Sequence, residues 1–348
     1  MKIGIQGWFL PQPMTGIGQH SRGLLTALLK NKKAEITVVV PESVKIPGLK
    51  ASQIKVVRPK FWIPHPALRR WVWERVQVPA AFAEMDLDWQ WYPYPCPLPL
   101  YSPHLRAVTV HDLILWHDPR YQGHFLKRFY YDEARRSLIR ADQIFTVSES
   151  IHHELGIPTA TVLPNAIPEI PRPLPRSQYP GALVYLGGFD IRKNVPLLVK
   201  TFQKFHKRHP DIHLILIGKA HSNSGLYPDV PDLPGLIKIG SVPDKNVYAL
   251  LKESFAFVHF SDAEGFNIPL LQAMSVGAPA VVLNLPVNRE VSGGHAFFVP
   301  PSHPEQLLDK LELLFNEKER KSHAEKLKQR AKDFSWDKSA KIFLKALK

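Results

Sequence analysis

The sequence predicts an α/β protein made of two similar halves, each a doubly wound parallel sheet, and three observations predict it. Short β-branched or apolar runs alternate with segments of helical period from end to end, the pattern of βα units rather than of a sandwich or a bundle. The 348 residues exceed the roughly 100–200 of a typical domain, and 45% of them are hydrophobic, enough for a sizeable core. Six prolines crowd the stretch from Pro164 to Pro180, a density that excludes helix and favours an extended linker. The expected division is therefore 1–170 and 171–334, with a closing helix over 335–348 packing back on the first half.

In the first half the runs Lys2–Gln6, Ile36–Val40, Ile54–Val57, Trp89–Tyr92, Ala107–Val110, Ile144–Val147 and Thr161–Leu163 read as strands. A helix is expected from near Gly18 to Leu29. A second fits 124–140, where Leu126, Tyr130, Ala134 and Leu138 form a buried stripe and Lys127, Arg128, Arg135 and Arg136 fall on a wet face. Beyond the prolines the alternation restarts with strands Leu183–Leu186, His213–Ile217, Leu236–Ile239, Phe257–Phe260 and Ala280–Leu283, and helices Val195–His209, Lys245–Glu253 and Ile268–Ser275. Ser302-His303-Pro304-Glu305 has the form of a capping box opening a helix through Phe315. Two basic helical stretches end the chain.

Composition narrows the function classes. The single cysteine, Cys96, excludes a disulfide scaffold or a thiolate zinc cage and fits a reducing compartment. Met1–Gln6 lacks the apolar run of a signal peptide, and no apolar run approaches the ~20 residues that cross a bilayer. A cytoplasmic protein, soluble or peripheral on the cytoplasmic membrane face, is expected. The net charge of +14 attracts polyanions. Most of it sits in two stretches: six bases and one acid over 55–75, eleven bases and five acids over 317–348. The balanced remainder is that of a globular enzyme, and no recognition motif for a specific nucleic acid accompanies the patches.

Four segments carry chemistry. Gly16-Ile17-Gly18 lies between the first strand and first helix, where glycines let a ligand approach backbone N–H groups; a plain loop is the alternative, since no Gly-Lys-Ser/Thr follows. His111-Asp112 follows a strand, at the carboxyl edge where open α/β sheets bind ligands, and His111 could hydrogen-bond a sugar or simply be satisfied beside a capping Asp. Gly187-Gly188-Phe189-Asp190-Ile191-Arg192-Lys193-Asn194 occupies the corresponding place in the second half. Its guanidinium and ammonium at a helix start suit a diphosphate and the negative charge of a departing nucleoside diphosphate, a solvated turn being the alternative. Glu264-Gly265-Phe266-Asn267-Ile268-Pro269 leads into a helix carrying Gln272; the carboxylate accepts several hydroxyl hydrogen bonds, as polyol recognition requires, and a structural N-cap is the alternative. Gln272 is neither base nor nucleophile, so a carboxylate-pair hydrolase is disfavoured. His206, His209 and His213 have a metal-like spacing, but Lys204, Lys207 and Arg208 crowd it with positive charge, and no metal site is assigned.

These motifs, in order, resemble the retaining glycosyltransferases of family 4, with the GT-B fold of two Rossmann-like domains facing a cleft. The likeness runs through Gly16-Ile17-Gly18 with Ser21-Arg22-Gly23-Leu24-Leu25, Trp73-Glu74 before Pro79, Val110-His111-Asp112, Ala141-Asp142 with Thr146-Val147-Ser148-Glu149, Leu163-Pro164-Asn165, Arg192-Lys193-Asn194, Glu264-Gly265-Phe266 and Phe334-Ser335-Trp336. The resemblance implies that Lys193, with Arg192, binds the donor diphosphate, that Glu264 holds donor-sugar hydroxyls and that His111 faces the sugar. It further implies that Phe266, Asn267 and Ile268 lie along the sugar-phosphate, that Gly16, Gly18 and Gly188 line the donor site, and that Glu290 sits in a loop flanking the nucleotide. Two positions depart from the family pattern: Gln272 stands where a Glu contacts the ribose diol, and Gly188 where an Arg is common. Transfer with retention, without metal or other cofactor, is the implied reaction.

The expected partners are a GDP- or UDP-linked sugar, with mannose favoured, and a glycan or lipid-linked acceptor in polysaccharide or glycolipid assembly. Phe61, Trp62, Trp71 and Trp73, interleaved with Arg69, Arg70 and Arg75, suit docking on an anionic leaflet. The same segment also reads as a core helix, because Leu68, Trp71, Val72 and Val76 have helical spacing. A catalytically degenerate protein of the same fold, binding a nucleotide, glycan or partner, is the alternative that Gln272 and Gly188 raise.

Overall fold

A computed structural model describes residues 1–123, 125–218 and 230–348. The described chain divides into two compact units, Met1–Ala166 with Ser335–Lys348, and Ile167–Phe334.

In the first unit the strands are β1 (Lys2–Gln6), β2 (Glu35–Val40), β3 (Ile54–Val56), β4 (Trp89–Tyr92), β5 (Leu105–Val110), β6 (Gln143–Thr146) and β7 (Thr161–Val162). They form one sheet in the order β3-β2-β1-β4-β5-β6-β7, with every pairing parallel. The strand order reverses between β1 and β4, so Gln6 and Tyr92 end at a topological switch point, where an open parallel sheet leaves room for a ligand, and Val110 ends the next strand out. One core holds Leu24, Leu25 and Leu28 of the helix Gly16–Asn31 against Ile3, Ile5 and Val38, and it is completed by Ala340, Phe343 and Leu344 of the last helix, Trp336–Ala346. Gly23 makes that docking possible: a Cβ there would fall 2.1 Å from the Trp336 ring.

The second unit contains β8 (Leu183–Leu186), β9 (Leu214–Ile217), β10 (Leu236–Gly240), β11 (Ala256–His259), β12 (Ala280–Leu283) and β13 (Phe297–Val299). Their order is β10-β9-β8-β11-β12-β13, again with all pairings parallel. Buried on both faces, β8, β9, β11 and β12 read as continuous apolar runs instead of alternating ones. The switch point lies between β8 and β11.

Several local expectations are corrected. The segment 66–83 is helical but buries Trp73, Glu74, Val78, Ala81 and Phe82, while Leu68 and Val76 are exposed; a π-turn over Trp73–Gln77 inserts into the helix and rotates its buried face. The docking patch proposed for that segment dissolves in part. Trp73 is buried, Trp71 Nε1 donates to Glu133 Oε2 at 2.5 Å, Arg75 pairs with Glu133 at 3.0 Å and Arg70 with Glu74 at 2.7 Å. Phe61 and Trp62 stay exposed. No capping box forms at 302–305: His303 is the cap of a short 3₁₀ turn, Pro304–Gln306, without a side-chain cap bond, because Pro304 and Pro300 fix a different entry, and the helix proper is Leu307–Leu313. Position 124, where one helix was expected to begin, lies outside the described residues; that helix covers Phe125–Ser137 and ends in a 3₁₀ turn, Leu138–Arg140. Glu290 lies on the helix Pro286–Ser292 and not in a loop, Pro286 at its first position having started the helix early.

Candidate active site

The second sheet brings two loops together at its switch point. After β8 the chain turns through Gly187, whose carbonyl oxygen would lie 1.8 Å from any Cβ on Gly218, so the two loops touch backbone to backbone. Tyr185 donates its hydroxyl to Gly188 O at 2.6 Å and pins the turn. Gly188 itself faces open space. Asp190 caps a 3₁₀ turn, Ile191–Lys193, by accepting from Arg192 N at 3.2 Å, and Asn194 leaves the turn in the left-handed region (φ 49°) to open the helix Val195–His206.

After β11, the loop 260–267 carries Glu264 back over this turn. Its Oε1 pairs with Lys193 Nζ, and its Oε2 lies 3.1 Å from Arg192 Nη1, which also donates to Ala263 O at 2.7 Å. Arg192 O accepts from Asp262 N at 2.8 Å, so side chains and backbone lock the two loops to each other. Burial favours the neutral carboxyl, yet Lys193 and Arg192 hold Glu264 well below the usual carboxylate range. Lys193 is itself pushed down by burial and by Arg192, against the pull of Glu264.

Beneath this pair lies His259, the last residue of β11 and wholly buried. Its ring stacks on Tyr185 (centroids 5.5 Å apart, planes at 8°) and on Phe257 (5.8 Å, 16°). Nδ1 accepts from Asn267 Nδ2 at 3.4 Å, which leaves the ring proton on Nε2, 3.7 Å from Glu264 Oε1. Burial and the neighbouring cations Lys193 and Arg192 lower the imidazole to about 3, so it is neutral. Asn267 (φ 68°) also donates to Asn288 Oδ1 at 2.9 Å and caps the helix Ile268–Ser275 through Leu270 N.

Of the remaining sequence-selected positions, Phe266 is buried, its ring packed edge to face against Phe334 at 5.4 Å. Ile268 is buried at the helix start. Gln272 is half-buried beside the Tyr248 phenol, which burial pushes up to about 12. Glu290 is tied through its carbonyl to Arg330 at 2.9 Å. His206 and His209 are engaged with Ile212 O and Glu312, each at 3.0 Å, and among the described residues no group of three or more His, Cys, Asp or Glu could hold a metal ion.

In the first unit, His111 follows β5 and donates from Nε2 to Pro93 O at 2.7 Å, which leaves Nδ1 as its acceptor. Edge to face with it at 4.7 Å is His20, fully buried, whose Nδ1 donates to Asn165 Oδ1 at 2.7 Å. Burial lowers both imidazoles. Gly16 is exposed, with open space around it. Gly18 is held by packing, since a Cβ there would meet Gln12 O at 2.0 Å. Sequence reasoning passed over His259, Tyr185, Asn288 and His20; a polar His closing the apolar run Ala256-Phe257-Val258 was the signal for the first of them.

Both sheets have counterparts in solved structures. WaaG, a glycosyltransferase involved in lipopolysaccharide biosynthesis, superposes with a TM-score of 0.72 at 13% identity over 98% of each chain. Sucrose-phosphate synthase from Thermosynechococcus elongatus gives 0.72 at 14% identity, over 99% of this chain and 98% of that one. The fold is GT-B, the architecture of two Rossmann-like units. Residues 167–334, which are the second unit, match the family model of the glycosyl transferases group 1. The protein is a glycosyltransferase, its second unit being the part that resembles that family. The chain is also 28% identical to O-antigen chain mannosyltransferase B of Escherichia coli over 266 residues, 68% of this chain and 69% of that protein. Among the described residues no helix is long and apolar enough to cross a membrane.

Proposed function

We propose that the protein transfers a sugar, mannose for preference, with retention from a nucleoside diphosphate sugar to a glycan or lipid-linked acceptor in the assembly of a surface polysaccharide or glycolipid. One observation carries the reading: the Glu264 carboxylate is clasped by Lys193 and Arg192 at the switch point of a parallel sheet. Such a clasp matches a sugar diphosphate group by group, the two cations meeting the diphosphate and the carboxylate accepting sugar hydroxyls. As the glycosidic bond to phosphate breaks, negative charge grows on the diphosphate, and cations already fixed in a dry site stabilise it without reorganising. The mannose and O-antigen preference rests on the Escherichia coli relative, and neither metal nor other cofactor has a part in the proposal.

Gln272 favours a second reading, a protein of this fold that binds without turnover, because a neutral amide is a weaker partner for a ribose diol than a carboxylate. Thermal stabilisation by GDP, UDP, ADP and dTDP tests the two. A ligand at a hundred times its dissociation constant adds about 2.7 kcal/mol to the native state. A shift with one nucleotide that vanishes in Lys193→Ala supports transfer and names the base, and release of that nucleotide from the cognate sugar donor, with the product anomer read by NMR, completes the assignment. No shift in wild type, but one gained in Gln272→Glu, supports the second reading.

A further inference from the structure

Four aromatic rings surround one cation at the switch point of the first sheet. Trp8 and Phe9 follow β1, Tyr94 follows β4 and Tyr130 lies on the helix Phe125–Ser137; the Arg70 guanidinium carbon is 5.0–5.4 Å from the centre of each ring. Arg70 Nε donates to Glu74 Oε1 at 2.7 Å. That carboxylate is fully buried and accepts from the Tyr94 and Tyr130 hydroxyls, and Gln6 Nε2, at the end of β1, donates to the Tyr94 hydroxyl. The guanidinium is thus fixed at one nitrogen and by the rings about it. Among the described residues its two terminal nitrogens make no hydrogen bond, and they are open to solvent, the side chain being 27% exposed. Trp8 and Phe9 are half-buried beside it. An arginine held this way presents a planar pair of N–H groups whose orientation is settled before any ligand arrives. The neighbouring arginines are engaged elsewhere: Arg69 donates twice to Ile63 O, Arg22 Nε donates to Leu10 O at 2.7 Å, and Arg75 pairs with Glu133.

We propose that Arg70, with the Trp8 and Phe9 rings, forms a saccharide subsite that selects an uncharged sugar against a phosphorylated or acidic one. The charge balance carries the selection. The Lys193–Arg192–Glu264 clasp sets two cations against one carboxylate and keeps a positive surplus, whereas Arg70 and Glu74 are one against one. A phosphate at the free nitrogens would gain the attraction of the guanidinium and meet the repulsion of a carboxylate in direct contact with it. The next charges, Asp112 and Lys127, are opposite in sign and both act on Tyr131: Lys127 Nζ lies 5.8 Å from its ring, and Asp112 adds to the burial that raises its phenol, against Arg70. A neutral hydroxyl needs no surplus charge; it accepts from the two N–H groups, while the apolar C–H face of a sugar packs on an aromatic ring. The inference deepens the acceptor half of the reading above and rests on it for the ligand's role as acceptor, but the subsite itself stands on residues of the first unit alone.

Titration of the full chain, followed by the indole N–H resonance of Trp8 assigned through Trp8→Phe, tests the proposal. The probes are a panel of neutral mono- and disaccharides, mannosides among them, together with mannose 6-phosphate and inorganic phosphate. The resonance is expected to move with at least one neutral sugar, to move less with mannose 6-phosphate than with methyl mannoside, and to ignore inorganic phosphate. Arg70→Gln/Glu74→Gln removes both charges together and leaves an amide for the two tyrosine hydroxyls; it is expected to weaken saccharide binding about tenfold or more. Arg70→Lys keeps the charge beside Glu74 without the fork and is expected to weaken binding by a similar factor, so the test stands even where the double variant melts early. Lys193→Ala is expected to leave the saccharide titration unchanged while the nucleotide-induced thermal shift is lost, which separates failure of this subsite from failure of the transferase reading. No movement with any neutral sugar, tighter binding of the phosphorylated probes, or wild-type saccharide affinity in Arg70→Lys would each overturn it.

Discussion

His259 Nε2 stands 3.7 Å from Glu264 Oε1, the imidazole wholly buried and the carboxylate nearly so. The separation exceeds a hydrogen bond, and among the described residues the nitrogen has no hydrogen-bond partner. His259→Phe keeps the stack on Tyr185 and Phe257 while deleting an unpaired buried N–H. We expect urea unfolding to change by no more than about 1 kcal/mol, because the one bond lost is the long one from Asn267 Nδ2, which keeps its bond to Asn288 Oδ1. Donor-sugar affinity, followed by calorimetry, is expected to weaken by about three- to tenfold as the N–H nearest the carboxylate disappears. A loss of several kcal/mol in stability with no change in affinity would make His259 structural only.

Glu264→Gln preserves shape and removes charge. It leaves the buried Lys193 ammonium beside Arg192 without its counter-ion, and breaking such a pair costs about 3–5 kcal/mol. Adding Lys193→Met to Glu264→Gln is expected to restore much of that stability, a coupling that a double-mutant cycle by denaturant unfolding reads directly. Nucleotide binding stays lost in the double variant.

Acid is expected to destabilise the second unit through His259. Its ordinary value is 6.5 and its folded value about 3. Between those two pH values the unfolded chain binds a proton that the native chain does not, so stability is intact above pH 6.5 and falls as pH drops toward about 3, by about 1.4 kcal/mol per pH unit for one such group. Glu264, held below its ordinary 4.5, acts in the same direction below that pH. Melting temperature measured from pH 7 to pH 4 is expected to fall less steeply in His259→Phe than in wild type.

Glu74 is a fully buried charge in the first unit. Its Oε1 meets Arg70 Nε at 2.7 Å and the Tyr94 hydroxyl, and its Oε2 accepts from the Tyr130 hydroxyl at 2.5 Å. The Arg70 guanidinium lies 5.0–5.4 Å from the rings of Trp8, Phe9, Tyr94 and Tyr130. Glu74→Ala is expected to cost about 3–5 kcal/mol in chemical denaturation. Arg70→Lys is expected to cost a further measurable amount, since an ammonium cannot reproduce the planar stacking.

The strands were legible because a buried parallel strand writes itself as a short β-branched, aromatic or apolar run between turn residues, and Lys2–Gln6, Trp89–Tyr92, Leu183–Leu186 and Ala280–Leu283 have the same bounds in sequence and structure. The segment 66–83 was misread because a single π-turn shifts the buried face, and nothing in the local period announces that insertion. Arg192, Lys193 and Glu264 were legible as chemistry, each in a loop after a strand. Their union was not, because 71 residues separate Lys193 from Glu264.

By itself, then, the sequence determined the α/β alternation and the places where glycines and charged groups interrupt it, since both follow from local period and backbone freedom. The tertiary structure alone decided that Glu264 neutralises two cations, that His259 lies unprotonated beneath them, and that Phe125 and Phe129 stay exposed among charged side chains. Each depends on which distant segments cover a side chain, and burial and pairing, which set charge state and exposure, exist only once those segments have met.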